Sequence, residues 1–290
     1  MRISYTLQSW LMAIVARLPF WVVYLFSDGF TLLAEYVIPY RRQLVFQNIS
    51  DTFPEKSPHE IRRIRRKFYR QFIDVMFEVF KMPGIGMKEL QKRMVITNTE
   101  LLKELDAKGR SVILAGGHFA NWEWLGNRVK PETDHVGVAL YKEIHNSFYN
   151  DYMMKVRSLY EKTLLVEHEK TSRALVRLRN SKVLLLVLSD QRPSAHDLKY
   201  WIPFLGRETP VLPGIEKIAN AFDFDVLYFD ICRIKRGYYK ATLVPLKTGD
   251  EKLSELELTK RYFNQIEKSV YRQPESYLWT HNRWKYKREN

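Results

Sequence analysis

The chain has 290 residues, a formal net charge of +14, and 46% apolar residues. That is enough apolar material for one large core or two small ones. The single cysteine, Cys232, excludes an intramolecular disulfide and any multi-cysteine metal site. It sits in the apolar run Asp225–Ile234, which suits a packed thiol better than a nucleophile. The excess of positive charge points to an anionic partner: nucleic acid, an acidic membrane surface or an acidic carrier.

The N-terminus departs from this soluble composition. Ile3–Ala16 and Leu18–Ser27 hold no charge and are separated by Arg17 and Pro19; Phe30–Ile38 continues the trend with only Glu35 charged. No uncharged run reaches the roughly 18 residues of an unambiguous spanning helix, and no small-residue cleavage site follows. Trp10, Trp21, Tyr24 and Tyr36 suit a membrane interface, where aromatic rings straddle apolar and wet layers. Residues 1–40 are therefore expected to form a membrane-associated segment, and 41–290 the folded domain. The plainer alternative is a buried helical hairpin.

Ser57-Pro58-His59-Glu60 is a compact helix start, with a Ser N-cap, Pro at the first position and a Glu closing a capping box. Ile61, Ile64, Phe68, Phe72, Val75 and Val79 recur at helical spacing, and the other face carries Arg62, Arg63, Arg65, Arg66, Lys67 and Arg70. Such a face suits anionic lipid, at about 1 kcal/mol per charge near the surface, and equally suits plain solvation. Pro83-Gly84 ends the helix.

Beyond Gly86, short apolar runs alternate with helical patterns. Strands are expected at Val112–Ala115, Val136–Leu140, Thr163–Val166, Val183–Leu188, Val226–Ile231 and Ala241–Leu246. Helices are expected at 99–107, 122–129, 146–160, 170–180, 213–221 and 254–272. Fully apolar strands alternating with helices imply an α/β domain around a buried, largely parallel sheet. In such sheets ligands bind beyond the carboxyl ends of the strands. His118 follows one such end, and Asp190-Gln191 follows another.

The segment Gly116-Gly-His-Phe-Ala-Asn-Trp-Glu123 is the most chemically suggestive. Residues five apart on a helix sit about 140° apart, so His118 and Glu123 meet only if the chain between them is non-helical. Gly116-Gly117 permits a turn, and Asn121 is an N-cap that places Glu123 in the first helical turn, where the dipole favours its ionised form. No G-x-S-x-G elbow, P-loop, dinucleotide fingerprint or H-E-x-x-H is present. His118, Glu123 and Asp190 make a poor metal set. What remains is a base, a carboxylate and a basic, aromatic environment, which suits deprotonating a hydroxyl or amine for attack on an external activated acyl group.

The octapeptide resembles the H-x4-(D/E) box of glycerolipid-type acyltransferases, in the form seen in bacterial lipid A late acyltransferases. The resemblance extends through Tyr40–Pro54, Ser189-Asp-Gln-Arg192, Trp201–Gly206, Thr209–Gly214 and Tyr277–Lys285, together covering roughly residues 15 to 287. It implies a glycerolipid-acyltransferase-like α/β fold, with 41–290 as the acyltransferase domain. It also implies direct transfer of a fatty acyl chain to a hydroxyl of a lipid A precursor or related membrane lipid, at the cytoplasmic face of a bacterial inner membrane. The donor is an acyl thioester of acyl carrier protein or coenzyme A, with no further cofactor and no metal. His118 would be the general base, with Glu123 holding its other ring nitrogen. Asp190 and Gln191 would organise the site or contact the acceptor, with Asn121 beside them. Arg157 falls where a cation would meet a head group or the thioester oxyanion, and Arg192, Arg283 and Lys285 are candidates for lipid phosphate.

Two departures bear on the acceptor. Lys142 stands in place of a usual arginine, and a lysine is a point charge rather than a fork. Arg192-Pro-Ser-Ala-His196 replaces a smaller or more acidic run. A lysophospholipid or aminolipid acceptor is the nearer alternative, and a basic nucleic-acid-binding protein the more distant one; the apolar, tryptophan-bearing start separates them, and with it a membrane surface rather than nucleic acid is the expected partner.

Overall fold

The computed structural model describes residues 2–159 and 163–288. The chain begins with α1 (Arg2–Arg17) and α2 (Phe20–Leu32), which runs on through one widened turn to Val37. Next come α3 (Arg42–Thr52), α4 (Pro58–Lys81) and α5 (Met87–Arg93). The alternating region then gives β1 (Met94–Thr97), α6 (Glu100–Ala107), β2 (Val112–Gly116), α7 (Trp122–Val129), β3 (Val136–Tyr141) and α8 (Ser147–Arg157). It continues with β4 (Leu164–Glu167), α9 (Thr171–Arg177), β5 (Val183–Leu188), β6 (Tyr200–Phe204) and β7 (Arg207–Val211). The chain closes with α10 (Gly214–Phe222), β8 (Asp225–Lys235), β9 (Tyr238–Lys247) and α11 (Glu257–Arg272). Residue 160, the last of the helix expected over 146–160, lies outside the described residues.

Among the described residues the main sheet has seven strands in the order β1-β9-β8-β2-β5-β3-β4. β8, β2, β5, β3 and β4 run parallel, as their apolar composition predicts. β9 returns antiparallel from β8 through the two-residue turn Arg236-Gly237, and β1 pairs parallel with β9. This reversed edge was not expected, because strand direction follows from the length of the connection rather than from strand composition. β1 is only four residues long, and β6 and β7 form a separate antiparallel ribbon carrying Pro203 and Pro210. Neither shows the apolar run that marks a buried strand. Helices α3 and α5 were likewise not predicted.

All five residues of β2 are buried, and Val183, Leu184 and Leu185 of β5 join them at the centre of the core. Helix α4 begins with the expected capping box: the Ser57 hydroxyl accepts from the Glu60 N–H at 3.3 Å, and Glu60 accepts from the Ser57 N–H at 2.9 Å. Its basic face needs one correction. Arg62, Arg63, Arg66, Lys67 and Arg70 are exposed, but Arg65 is buried against Glu35 at 3.4 Å.

The two N-terminal helices dock on α4 by polar contacts as well as apolar ones. Ser27 donates to the buried Asp74 at 2.6 Å, and Tyr24 donates to the buried Glu78 at 2.8 Å. Tyr24 is therefore a packing residue rather than an interface aromatic. The opposite face is bare. Leu7, Trp10, Leu11 and Ile14 form one exposed stripe, and Trp21, Leu25, Tyr36 and Val37 stand exposed on the next helix, with Trp10 at 67% and Trp21 at 71% exposure. Phe20–Val37 is also a continuous 18-residue helix, long and apolar enough to cross a membrane. The charges that interrupt it in sequence are paired in the fold: Asp28 with Arg236 at 2.8 Å, and Glu35 with Arg65 and Arg66 at 3.4 and 3.6 Å.

Candidate functional site at the carboxyl ends of β2 and β5

Strands β2 and β5 pair in parallel register up to Gly116 and Leu188, and the chains then diverge into the loops bearing His118 and Asp190. Gly116, the last residue of β2, serves packing rather than turning. A Cβ on Gly116 would lie 1.9 Å from the Phe229 ring, so no larger residue fits there. The left-handed residue of the turn is Ala120, with φ +52°. Asn121 then caps α7, its side-chain oxygen accepting from the Trp124 N–H at 3.0 Å, and Glu123 falls in the first turn as expected.

His118 does not pair with Glu123. Its Nδ1 meets Asp190 Oδ1 at 2.6 Å, and its backbone N–H donates to Asp190 Oδ2 at 3.0 Å. The contact expected of Glu123 is made instead by Asp190. The strand adjacency of β2 and β5 places Asp190 directly beside the loop. Glu123 is turned toward α8, where Arg157 grips both its oxygens through Nε at 3.1 Å and Nη2 at 2.6 Å.

Asp190 is buried at the base of the site. Burial alone raises a carboxyl, but the charge of His118 and the hydrogen bonds from its ring and backbone outweigh it and hold Asp190 below the ordinary carboxylate range. An ionised carboxylate only accepts, so Nδ1 carries a proton, and in the neutral ring Nε2 then presents the lone pair. The exposed Gln191 amide nitrogen stands 3.3 Å from that Nε2. Trp122 packs edge-on against the imidazole at 5.2 Å between centroids and also lines a shallow apolar crevice with Phe68, Phe72, Val75 and Met76 of α4. Such an arrangement can take a proton from a hydroxyl at Nε2 beside an apolar surface.

The C-terminal segment closes the other side. Phe119 and Tyr277 form an antiparallel bridge, and the Leu278 N–H donates to His118 O at 3.1 Å. Asn48 of α3 donates to Trp279 O and His281 O at 2.9 and 3.2 Å, so distant sequence blocks converge here. His281 accepts from the Arg192 N–H at 3.1 Å; burial pushes its imidazole down to about 4, so it is a neutral structural acceptor. Arg192 donates to the Tyr286 hydroxyl at 3.2 Å, and Lys285 is exposed. Arg283 is 1% exposed, which corrects its expected place on a lipid phosphate. None of its three side-chain nitrogens has a hydrogen-bond partner among the described residues. Burial lowers its pKa, while Tyr277 and Asp190 oppose that shift.

Sequence reasoning missed Glu78. From the interior of α4 this fully buried carboxyl accepts from Tyr24, Asn121 and Tyr239 at 2.8, 2.7 and 2.7 Å. It ties the N-terminal helices to the cap of α7. Burial raises its pKa. Its one sequence signal is an acidic residue on the apolar face of an otherwise regular amphipathic helix.

The Glu123–Arg157 pair joins α7 to α8, and a double-mutant cycle of Glu123→Gln with Arg157→Met is expected to be non-additive by about 0.5–3 kcal/mol in Tm-derived stability. Additive losses in thermal denaturation would mean that the two side chains act separately.

Among the described residues no group of three His, Cys, Asp or Glu side chains is placed to hold a metal. Residues 3–286 match the family described as bacterial lipid A biosynthesis acyltransferase. The chain is also similar to the lipid A biosynthesis lauroyltransferase of Escherichia coli (strain K12), at 23% identity over 287 residues, covering 94% of this chain and 88% of the relative. With that match spanning the N-terminal helices, the His118 loop and the C-terminal segment alike, the chain belongs to the bacterial lipid A biosynthesis acyltransferase family.

Proposed function

We propose that the protein transfers a fatty acyl chain from an acyl thioester, with acyl carrier protein as donor, to a hydroxyl of a lipid A precursor or related bacterial membrane lipid. The observation that carries this reading is the 2.6 Å contact of His118 Nδ1 with Asp190 in a chain of this family. The acceptor hydroxyl replaces the Gln191 amide at His118 Nε2 and gives up its proton there. Its oxygen attacks the thioester carbonyl carbon, and Asp190 stabilises the imidazolium that forms. Collapse of the tetrahedral intermediate breaks the carbon–sulfur bond, and the departing thiolate takes the proton back from His118. The products are an ester and a free thiol, with no acyl-enzyme.

Arg157 is fixed by Glu123 through Nε and Nη2, and its guanidinium serves the thioester oxyanion or an anionic head group. Asn121 acts through the cap of α7. Arg192 and Lys285 stand at the acceptor side.

The reaction takes place at the cytoplasmic face of the inner membrane, on the side of the carrier protein. The exposed apolar stripes of α1 and α2 enter the bilayer, and the exposed Arg62, Arg63, Arg66, Lys67 and Arg70 face anionic head groups. The purified protein is expected to float with anionic vesicles, and charge reversal at Arg62 and Arg63 is expected to weaken that binding several-fold at low salt. A protein that ignores vesicles and binds nucleic acid salt-dependently would refute the membrane reading.

Incubation of the detergent-solubilised protein with acyl carrier protein or coenzyme A thioesters and a lipid A precursor tests the reaction directly. Mass spectrometry should find one added acyl chain and a released thiol. No acylated product from either donor, together with an unchanged lipid profile in cells lacking the gene, would sink the proposal.

A further inference from the structure

The β2–β5 pairing ends at Gly116 and Leu188, and one side chain joins the two strands just beyond it. The Tyr262 hydroxyl, from the middle of α11, donates to Gly116 O at 2.6 Å and accepts from the Ser189 N–H at 3.0 Å. Gly116 lies two residues before His118, and Ser189 immediately precedes Asp190. The ring is 1% exposed and held edge-on by Tyr228 and Phe263, at 6.2 and 5.2 Å between centroids. The hydroxyl therefore has one position, and it occupies both backbone groups where the ladder opens.

We infer that Tyr262 is a positioning residue for the His118–Asp190 pair, setting the spread of the β2 and β5 ends so that Nδ1 and the carboxylate meet. The inference rests on the reading of His118 as general base. Phenol is the chemistry this place requires, because one oxygen must donate to a carbonyl and accept from an amide. Burial, with the charge of Asp190, raises the Tyr262 pKa well above its ordinary value, so the group keeps both roles across the working pH range. Phenylalanine keeps the ring and loses both bonds.

The test uses the full-length protein in detergent. Tyr262→Phe is expected to lower kcat about 100-fold, the scale of a small misplacement of reacting groups, with KM for the acyl donor unchanged. The His118 Nδ1 proton resonance, read by ¹⁵N-histidine NMR, should shift with it. The control is Tyr69→Phe, which removes a hydroxyl from a fully buried side chain of α4 that donates to Tyr40 O at 2.5 Å, on an element that carries neither strand end; it should keep kcat and the His118 resonance.

Equal activity losses in both variants, tracking their losses in Tm, would reduce Tyr262 to a structural residue and overturn the inference. Wild-type kcat in Tyr262→Phe, with His118→Ala inactive, would overturn it and leave the base assignment standing; an active His118→Ala would instead remove the reading beneath it. Hydrogen exchange of the unmodified protein needs no variant to fold. The Ser189 amide should be protected, and free exchange there would refute the bridge.

Discussion

Replacing His118 with alanine is expected to reduce acyl transfer about 100- to 10,000-fold, with the fold retained. The imidazole stands at the mouth of the site, partly exposed, and its truncation opens no cavity in the sheet. Without it no group is in place to take the acceptor proton, since Gln191 has no basic atom and Asp190 is buried behind the ring. The loss should fall on kcat, because the ring binds neither acyl chain nor head group in this reading. Circular dichroism and Tm check the fold, and thiol release from the acyl donor checks the rate. Retained activity in a folded variant would refute the assigned base.

The second large effect concerns the orienting carboxylate. Asp190→Asn is expected to cost about 10,000-fold, the scale seen when the carboxylate of a histidine-based catalytic unit becomes an amide. The amide no longer stabilises an imidazolium, and its NH2 group favours the tautomer with the proton on Nε2, where the base must be unprotonated. The contrast with Glu123→Gln is the informative one. Were Glu123 the partner of His118, its substitution would change the pH dependence of kcat/KM in the acidic limb and Asp190→Asn would not. The geometry gives the opposite outcome: the Asp190 variant perturbs that limb, and the Glu123 variant lowers rate through Arg157 without moving it. An acidic limb displaced in the Glu123 variant alone would overturn the assignment.

Membership in the family places acyltransferase chemistry on this chain, and the site geometry supports a particular division of labour within it. His118 and Asp190 form one buried-to-exposed pair, Glu123 and Arg157 another, and they lie on neighbouring elements rather than in one line. The H-x4-E spacing thus brings together, on a single loop and helix start, one member of each pair.

Much of the scaffold was legible because its signals are local. The four apolar strands Val112–Gly116, Val136–Tyr141, Leu164–Glu167 and Val183–Leu188 formed as read, within a residue or so at each end. The capping box at Ser57 and the Asn121 cap formed in place, since each needs only neighbours three residues away. The edge strand β1 and the β6–β7 ribbon were missed because short or proline-bearing strands lack the continuous apolar run of a central strand. Glu78 was missed because periodicity reports which face is apolar, and cannot tell that three hydroxyl and amide donors from α2, α7 and β9 converge on a polar exception.

By itself, then, the sequence determined that His118 follows a buried parallel strand, that Glu123 begins a helix, and that the N-terminal segment is strongly apolar. Each follows from local composition and periodicity. The tertiary structure alone decided that His118 answers to Asp190, 72 residues away, while Glu123 answers to Arg157. Partner choice depends on which strand ends lie side by side, and the adjacency of β2 and β5 is a property of the whole sheet.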